Sequence, residues 1–368
     1  MFPAPLDEFP IHQTPMSMRY VGTSDRNFYD RCYFNAHDRT GDIFLVTGLG
    51  VYPNLGVIDA YATVRKGDHQ WAIRCSDALD DRSMDTSVGP YRIEVEEPLQ
   101  QLRLICDGAD HGLAFDLTWR GSFPAVMEQH HVMRTGPRAI LDASRFAQVG
   151  TWEGMLSVGG VDHKVSADQW VGTRDRSWGI RPVGEAEPAG RSAAEPLEGF
   201  WWLYVPLRFD EFAVVVIVQE MPDGFRTLND ATRVWADGRV EQLGWPEVEI
   251  QYGSGTRHPE RAVLHLAARG GKPFDVEVET LGSVVLHVGA GYGGDPDWSH
   301  GQWRGRNFVE GAEYDLDDPA IVARIPFGVI DHVASATCDG ASGWGLFEHG
   351  TMGRHDPSGF ADWGSLAP

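Results

Sequence analysis

From end to end the chain falls into short segments rich in Val, Ile, Tyr and Trp, cut roughly every eight to twelve residues by Gly, Pro or Asp. That rhythm leaves little room for helices and dictates an all-β fold. Ile43 to Val46, Val57 to Val64, Trp71 to Arg74, Tyr91 to Val95, Gln101 to Ile105 and Leu113 to Trp119 read as consecutive strands, several with the apolar–polar alternation of a half-buried sheet. Pro137 to Phe146 is the best helix candidate, and it is short. Strands that follow one another without helical crossovers pair antiparallel, as in a meander, sandwich or up-and-down barrel. Glycine, at 43 of 368 residues, supplies the many turns such a fold needs.

A chain of this length fits two domains, or one large β-domain. Between Pro182 and Glu198 the sequence turns to Pro, Gly, Ala and Glu, the composition of a linker or a long inter-strand loop. Beyond it Phe200 to Leu207, Phe212 to Glu220, Val263 to Ala267, Asp275 to Glu279 and Ser283 to Val288 resume the strand pattern, and Met221-Pro222-Asp223-Gly224 is a strong hairpin turn. The expected division is residues 1–190 and 191–368, each an antiparallel β-barrel or β-sandwich.

Charge and cysteine narrow the partners. With 31 Lys and Arg against 53 Asp and Glu, the net charge of −22 repels nucleic acid and anionic membrane surfaces. The longest apolar run, Phe212 to Val218, falls well short of the roughly 20 residues of a membrane helix, and the N-terminus lacks the features of a signal peptide, so residence in the cytoplasm is expected. Cys32, Cys75, Cys106 and Cys338 are far apart with no CxxC and read as free buried thiols.

The densest chemical cluster runs from Val171 to Arg181. Three guanidiniums, one carboxylate and an indole lie between Arg174 and Arg181. If the segment is extended, alternation sends Arg174, Arg176 and Trp178 to one face and Asp175 and Ser177 to the other. A carboxylate held among arginines stays ionised, suited to orienting a substrate and poor as a proton donor. The same residues also fit a buried Arg–Asp pair that fixes a domain junction.

Downstream, Phe200, Trp202 and Tyr204 share one face of a strand and form an aromatic wall, able to hold a cationic or conjugated ligand or simply to pack a core. Glu220 closes the apolar strand that follows, where desolvation could raise its pKa towards that of a general acid. In Glu128-Gln129-His130-His131 the adjacent histidines point to opposite faces of a strand and make a poor chelate, so no metal site is expected; one of them, His131, suits acid–base work in a pocket. His37-Asp38 and Asp331-His332 raise the same question. Gly289 to Gly294 matches GxGxxG, but Asp295-Pro296-Asp297-Trp298 follows where a dinucleotide site needs a helix; a flexible loop carrying Trp298 and Trp303 fits better. There is no GxSxG elbow, Walker A sequence or EF-hand loop.

The segment Asp30 to Asp38, followed by Gly48-Leu49-Gly50-Val51-Tyr52-Pro53-Asn54, together with the cluster from Arg174 to Arg181 and, more weakly, Gly343 to Glu348, resembles the tandem lipocalin-like (calycin-like) family. That family includes AttH-type proteins, carotenoid 1,2-hydratases, fungal Diels–Alderases and many bacterial members. The resemblance implies two lipocalin-like β-domains, with an apolar pocket in one of them or at their junction. In its hydratase branch the tetrapeptide at Arg174 to Ser177 reads His-Asp-Trp-Asn, so Asp175 is the shared residue, and a catalytic Asp lies near the strand end that Val218 to Glu220 occupies here. The expected activity is that of an enzyme without a cofactor acting on an apolar terpenoid, steroid, polyketide or aromatic molecule. Its reaction is hydration or dehydration, isomerisation or pericyclic cyclisation. Asp175 orients the site, Arg174 and Arg176 polarise an oxygen, Glu220 or His131 moves the proton, and Trp178, Trp202, Tyr204, Phe200 and Tyr33 contact the ligand. The rival expectation is a non-catalytic carrier of a hydrophobic ligand.

Overall fold

The structure, a computed structural model, describes residues 2–11, 17–187 and 198–368. Its strands form two antiparallel curled half-barrel sheets, with only short helical turns among the described residues. The first sheet runs Phe308–Asp315, His69–Ala78, Val57–Lys66, Ile43–Tyr52, Phe28–His37, Val171–Ile180, Arg138–Val158, Leu113–Gly121, Gln101–Cys106, Tyr91–Glu97 and Ser87–Val88, with three further short strands on Arg138–Val158. The second runs Val240–Gln242, Arg226–Trp235, Phe212–Glu220, Gly199–Arg208, Ala341–Gly353, Ile330–Cys338, Phe274–Val285, Pro259–Leu266 and Glu247–Tyr252.

Pro137 to Phe146 is not a helix but belongs to the strand Arg138–Val158, which pairs with Val171–Ile180 from Asp142 to Thr151 and with Leu113–Gly121 from Gly150 to Val158. A helix of ten residues is marginal by itself, and two ladders of cross-strand bonds override its weak preference. Met221 to Gly224 makes the expected turn: the Met221 amide donates to Phe225 O at 2.8 Å, and Gly224 takes the left-handed φ of 85° that favours glycine.

The two halves of the sequence are interlocked. Phe308–Asp315, from the second half, adds an edge strand to the first sheet beside His69–Ala78. The expected boundary at residue 190, and most of the expected linker, lie outside the described residues. On the way to that edge strand the chain passes through the GxGxxG segment, which opens no helix. The Gln70 amide pins the start of this crossing by donating to Val285 O and Val288 O at 3.1 and 2.5 Å. The Asp59 carboxylate holds its far end by accepting from the Gly301 amide at 2.6 Å. Trp298 is buried against Phe308, so this part of the expected loop is packed, while Trp303 is exposed.

Three apolar layers result. Phe34, Trp119 and Trp152 fill the first half-barrel, and Leu203, Val216 and Phe347 fill the second. Tyr33, Val46, Val149, Tyr204, Val215, Ile217 and Leu286 glue the sheets to each other. All four cysteines are free and buried, and no helix of the described residues is long and apolar enough to cross a membrane.

Candidate active site

The middle layer contains a cavity of about 320 Å³. Strand alternation decides what faces it. On Phe28–His37, Tyr29, Arg31 and Tyr33 point to the junction; on Val171–Ile180, Asp175 and Ser177 do the same. Register stacks these side chains into rows. Tyr33 lies opposite Asp175, which lies opposite Ala147, while Arg31 lies opposite Ser177, which lies opposite Arg145. The second sheet supplies Phe200, Trp202, Gln219 and Glu348, and Glu348 sits between Tyr204 and Asp331 on the neighbouring strands. Glu128 and His131, before and within the short strand that pairs with Arg138–Val158, complete the acid–base set.

Three carboxyl groups, on Glu128, Asp175 and Glu348, therefore line one largely apolar hollow, and a fourth, on Asp331, lies beside Glu348. Asp331, fully buried behind Glu348, accepts a short hydrogen bond from the Tyr33 hydroxyl, and Glu348 accepts one from the Trp202 indole. Burial and the neighbouring Glu348 charge push the Asp331 pKa well above the carboxylate range; burial also raises Glu348. Two carboxyls this close in a dry site hold a proton between them, with Asp331 as its main owner. Burial lifts Asp175 to about 6, against the opposing pull of Arg145, and lifts Glu128 to about 7 although the Arg145 guanidinium lies 2.5 Å away. Arg145 itself is sandwiched over the rings of Trp202 and Tyr204, at 5.4 and 4.9 Å. His131 is pushed down to about 4, by burial first and by Arg145 and His130 after it, so it is a neutral imidazole whose Nε2 has no partner among the described residues.

At neutral pH this arrangement offers carboxyls that carry a proton, a neutral base and a fixed cation around an apolar volume. It can give and take protons on a substrate that brings little polarity of its own. Among the described residues no group of three His, Cys, Asp or Glu side chains is placed to hold a metal ion.

The structure brings together Asp175, His131, Trp202, Phe200 and Tyr33 from the sequence-based set, with Tyr204 beneath Arg145 at the edge. It does not bring in Arg174 or Arg176. Both project to the opposite face, as the alternation of their strand requires. Arg174 forks onto Glu8 at 2.8 and 2.9 Å and onto Gln148 at 2.8 Å; Arg176 meets Asp30 at 2.7 Å and the Glu8 carbonyl at 3.0 Å. Neither can polarise an oxygen in this cavity. Trp178 packs near Phe146, 6.5 Å between ring centroids, and does not line the hollow.

Asp175 lies away from those two arginines, and burial lifts its pKa to about 6 although Arg145, Arg31 and Arg181 pull the other way. Glu220 is turned away as well: its neighbour Gln219 faces the cavity, and His355 at 3.0 Å and Arg226 at 2.8 Å fix its carboxylate. Burial raises its pKa, but these two partners together pull it below the usual value, which rules out the raised-pKa acid expected there.

Arg145, Glu128 and Glu348 lie outside the sequence-based set, and Asp331 is flagged there only through the Asp331-His332 pair. Glu128 stands in the Glu-Gln-His-His run, where the adjacent histidines draw the question of metal, and Glu348 ends the Gly343 to Glu348 segment. Arg145 carried no local signal, since it lay inside the stretch read as a helix.

Two interlocked antiparallel half-barrels with an acid-lined hollow between them make a tandem lipocalin-like fold. The chain belongs to a family of unknown function (DUF8625), whose sequence profile matches residues 4–361. Its fold is shared with a putative AttH from Nitrosomonas europaea, at 12% identity and a TM-score of 0.55 over 88% of this chain and 92% of that one. Kievitone hydratase from Nectria haematococca shares it too, at 15% identity and a TM-score of 0.52 over 96% of this chain and 99% of that one. At these identities the likeness is one of fold. No curated protein matches the chain in sequence.

Proposed function

We propose that the protein is an acid–base enzyme that adds water to, or removes it from, an apolar small molecule bearing oxygen, without a redox cofactor. One observation supports this above the others: Glu128, Asp175 and Glu348 line a single largely apolar cavity together with Arg145, and the buried Asp331 lies beside Glu348 on the neighbouring strand. Evolution rarely leaves four carboxyls in a dry site without a use, because each costs desolvation that packing alone would not require. The fold's occurrence in a protein named as a hydratase agrees with the reading.

In the dehydrating direction a protonated carboxyl of the Asp175 or Glu348 group gives its proton to the departing hydroxyl, whose C–O electron pair leaves with water. The neutral His131 or an ionised carboxyl then takes a proton from the adjacent carbon, and that C–H electron pair becomes the new double bond. Hydration runs these steps in reverse. Arg145 stabilises negative charge that develops on a substrate oxygen, while Phe200 and Trp202 hold the skeleton.

The test is turnover of small-molecule extracts in deuterated water by the full chain, read by mass spectrometry. Wild-type protein should produce species shifted by the mass of water or carrying solvent deuterium, and Asp175→Asn and Glu348→Gln should not. Equal product from wild type and both folded variants rules the acid–base reading out. A ligand that co-purifies and is always recovered unchanged points to the carrier alternative.

A further inference from the structure

One wall of the cavity carries two cations that the chemistry above does not use. Arg31, at the centre of Phe28–His37, and Arg181, just past Val171–Ile180, line both the inner cavity and an outer vestibule of about 460 Å³. The vestibule also receives Arg26 and Arg138, but those are engaged: Arg138 with Glu187 at 2.5 Å and Arg26 with the Glu185 carbonyl at 3.1 Å. Arg31 and Arg181 are not. Arg31 is 94% buried, by its 6% exposure, and its guanidinium lies 4.8 Å over the Tyr292 ring; Arg181 lies 5.4 Å over Tyr29. Among the described residues, neither makes a hydrogen bond or an ion pair with a carboxylate.

The groups facing them are phenols, Tyr29, Tyr52, Tyr61 and Tyr292, and the His300 imidazole, which is 95% buried, is held neutral, and has an Nε2 without a partner. Asp175 feels both arginine charges and Glu348 that of Arg181, but neither forms an ion pair with them among the described residues. Burial and the like charge of Arg31 lower the Arg181 pKa, so the two cations repel each other across a shared space.

A buried cation such as Arg31 with no counter-ion among the described residues is costly to a fold, and the half-buried Arg181 beside it adds to that cost. In a protein whose net charge is −22, this is a local concentration of positive charge at the mouth of an apolar hollow. We propose that Arg31 and Arg181 bind the anionic end of the substrate, and that the substrate is an amphipathic acid, with an apolar skeleton in the inner cavity and a carboxylate or comparable oxyanion at this wall. The inference rests on reading the cavity as a small-molecule site. It adds direction to it: the anion anchored at the vestibule sets which carbon of the skeleton lies against Asp175 and Glu348.

The experiment compares two fluorescent probes that share one skeleton, 1-anilinonaphthalene-8-sulfonate and the uncharged N-phenyl-1-naphthylamine, titrated into the full chain. Wild type should favour the sulfonate by about tenfold or more, the ratio that one charge-assisted hydrogen bond supplies. Arg31→Gln and Arg181→Gln should each remove most of that preference and leave the neutral probe within about twofold, while Trp202→Ala should weaken both probes together. Since neither arginine has a carboxylate partner among the described residues, both variants should melt no lower than wild type.

Equal binding of the two probes by wild type overturns the anion site and leaves the cavity standing. So do arginine variants that lose stability yet keep the sulfonate preference. Binding of neither probe, or binding indifferent to Trp202→Ala, overturns both.

Discussion

Breaking the pair Glu8–Arg174 should cost the fold several kcal/mol and the chemistry nothing, and Glu8→Gln separates the two. Arg174 is 2% exposed and Glu8 4%. The guanidinium donates two hydrogen bonds to the Glu8 carboxylate and a third to Gln148 Oε1. Burial pushes the Glu8 pKa up, but the charge and hydrogen bonds of Arg174, the Leu99 amide and Arg176 together bring it below its usual value. Removing the negative charge strands a buried guanidinium, a loss of about 3–5 kcal/mol. Replacing both partners in Glu8→Leu/Arg174→Met removes the stranded charge and should recover most of that loss.

The lowered pKa also sets a sign. Glu8 binds protons less readily folded than unfolded, so its contribution is present above the unfolded value near 4.5 and disappears as the pH falls through the lower folded value. Urea unfolding at pH 7 and pH 4, followed by tryptophan fluorescence, reads all three effects. The reasoning is refuted if Glu8→Gln costs less than about 1 kcal/mol at pH 7, or if it abolishes ligand binding while the fold is intact.

Other outcomes follow from the same geometry. Asp175→Asn and Glu348→Gln should each lower turnover by about a hundredfold or more, with far-ultraviolet circular dichroism unchanged. Burial raises the folded pKa of Asp175 to about 6 and of Glu128 to about 7. Each therefore contributes stability that is present below the unfolded value and lost as the pH rises through the folded one, on the order of 3 kcal/mol per group, so Asp175→Asn should flatten the decline in stability between about pH 4 and pH 7. Catalysis that uses the protonated carboxyl should weaken over the upper part of that interval, as a pH–rate profile would show. Glu220→Gln should lower stability by about 1–3 kcal/mol through its broken contacts with His355 and Arg226, and leave the reaction rate alone.

Fold class was legible because strand signals are local: alternation, β-branched runs and turn residues such as Met221 to Gly224 need no knowledge of what lies across the chain. The crossing of Phe308–Asp315 into the first sheet was not, since nothing in those eight residues names His69–Ala78 as the partner. The site divides in the same way. Alternation placed Asp175 and Ser177 together on one face, opposite Arg174 and Arg176, and the structure agrees. What alternation cannot give is which face meets the second sheet, and that choice decides which charges matter. It turned the arginines into barrel-interior ion pairs and brought in Arg145, Asp331 and Glu348 from distant strands. Glu220 failed for a similar reason: its partner His355 lies 135 positions away.

Charge on both faces of one β-ribbon is the organising fact of this molecule. On the inner face of Phe28–His37 and Val171–Ile180, Arg174 meets Glu8 and Arg176 meets Asp30, so each buried cation finds a buried anion and the set closes on itself. On the outer face the books do not balance: among the described residues Arg31 and Arg181 form no ion pair with a carboxylate, while the adjacent Asp331 and Glu348 form none with a cation and hold a proton between them. If packing alone had shaped the outer face, moving a carboxylate to the arginines would have relieved both defects at once. That they persist on opposite walls of one cavity fits a site whose missing charges arrive with a ligand, its anion at the arginines and its leaving or entering water at the acids.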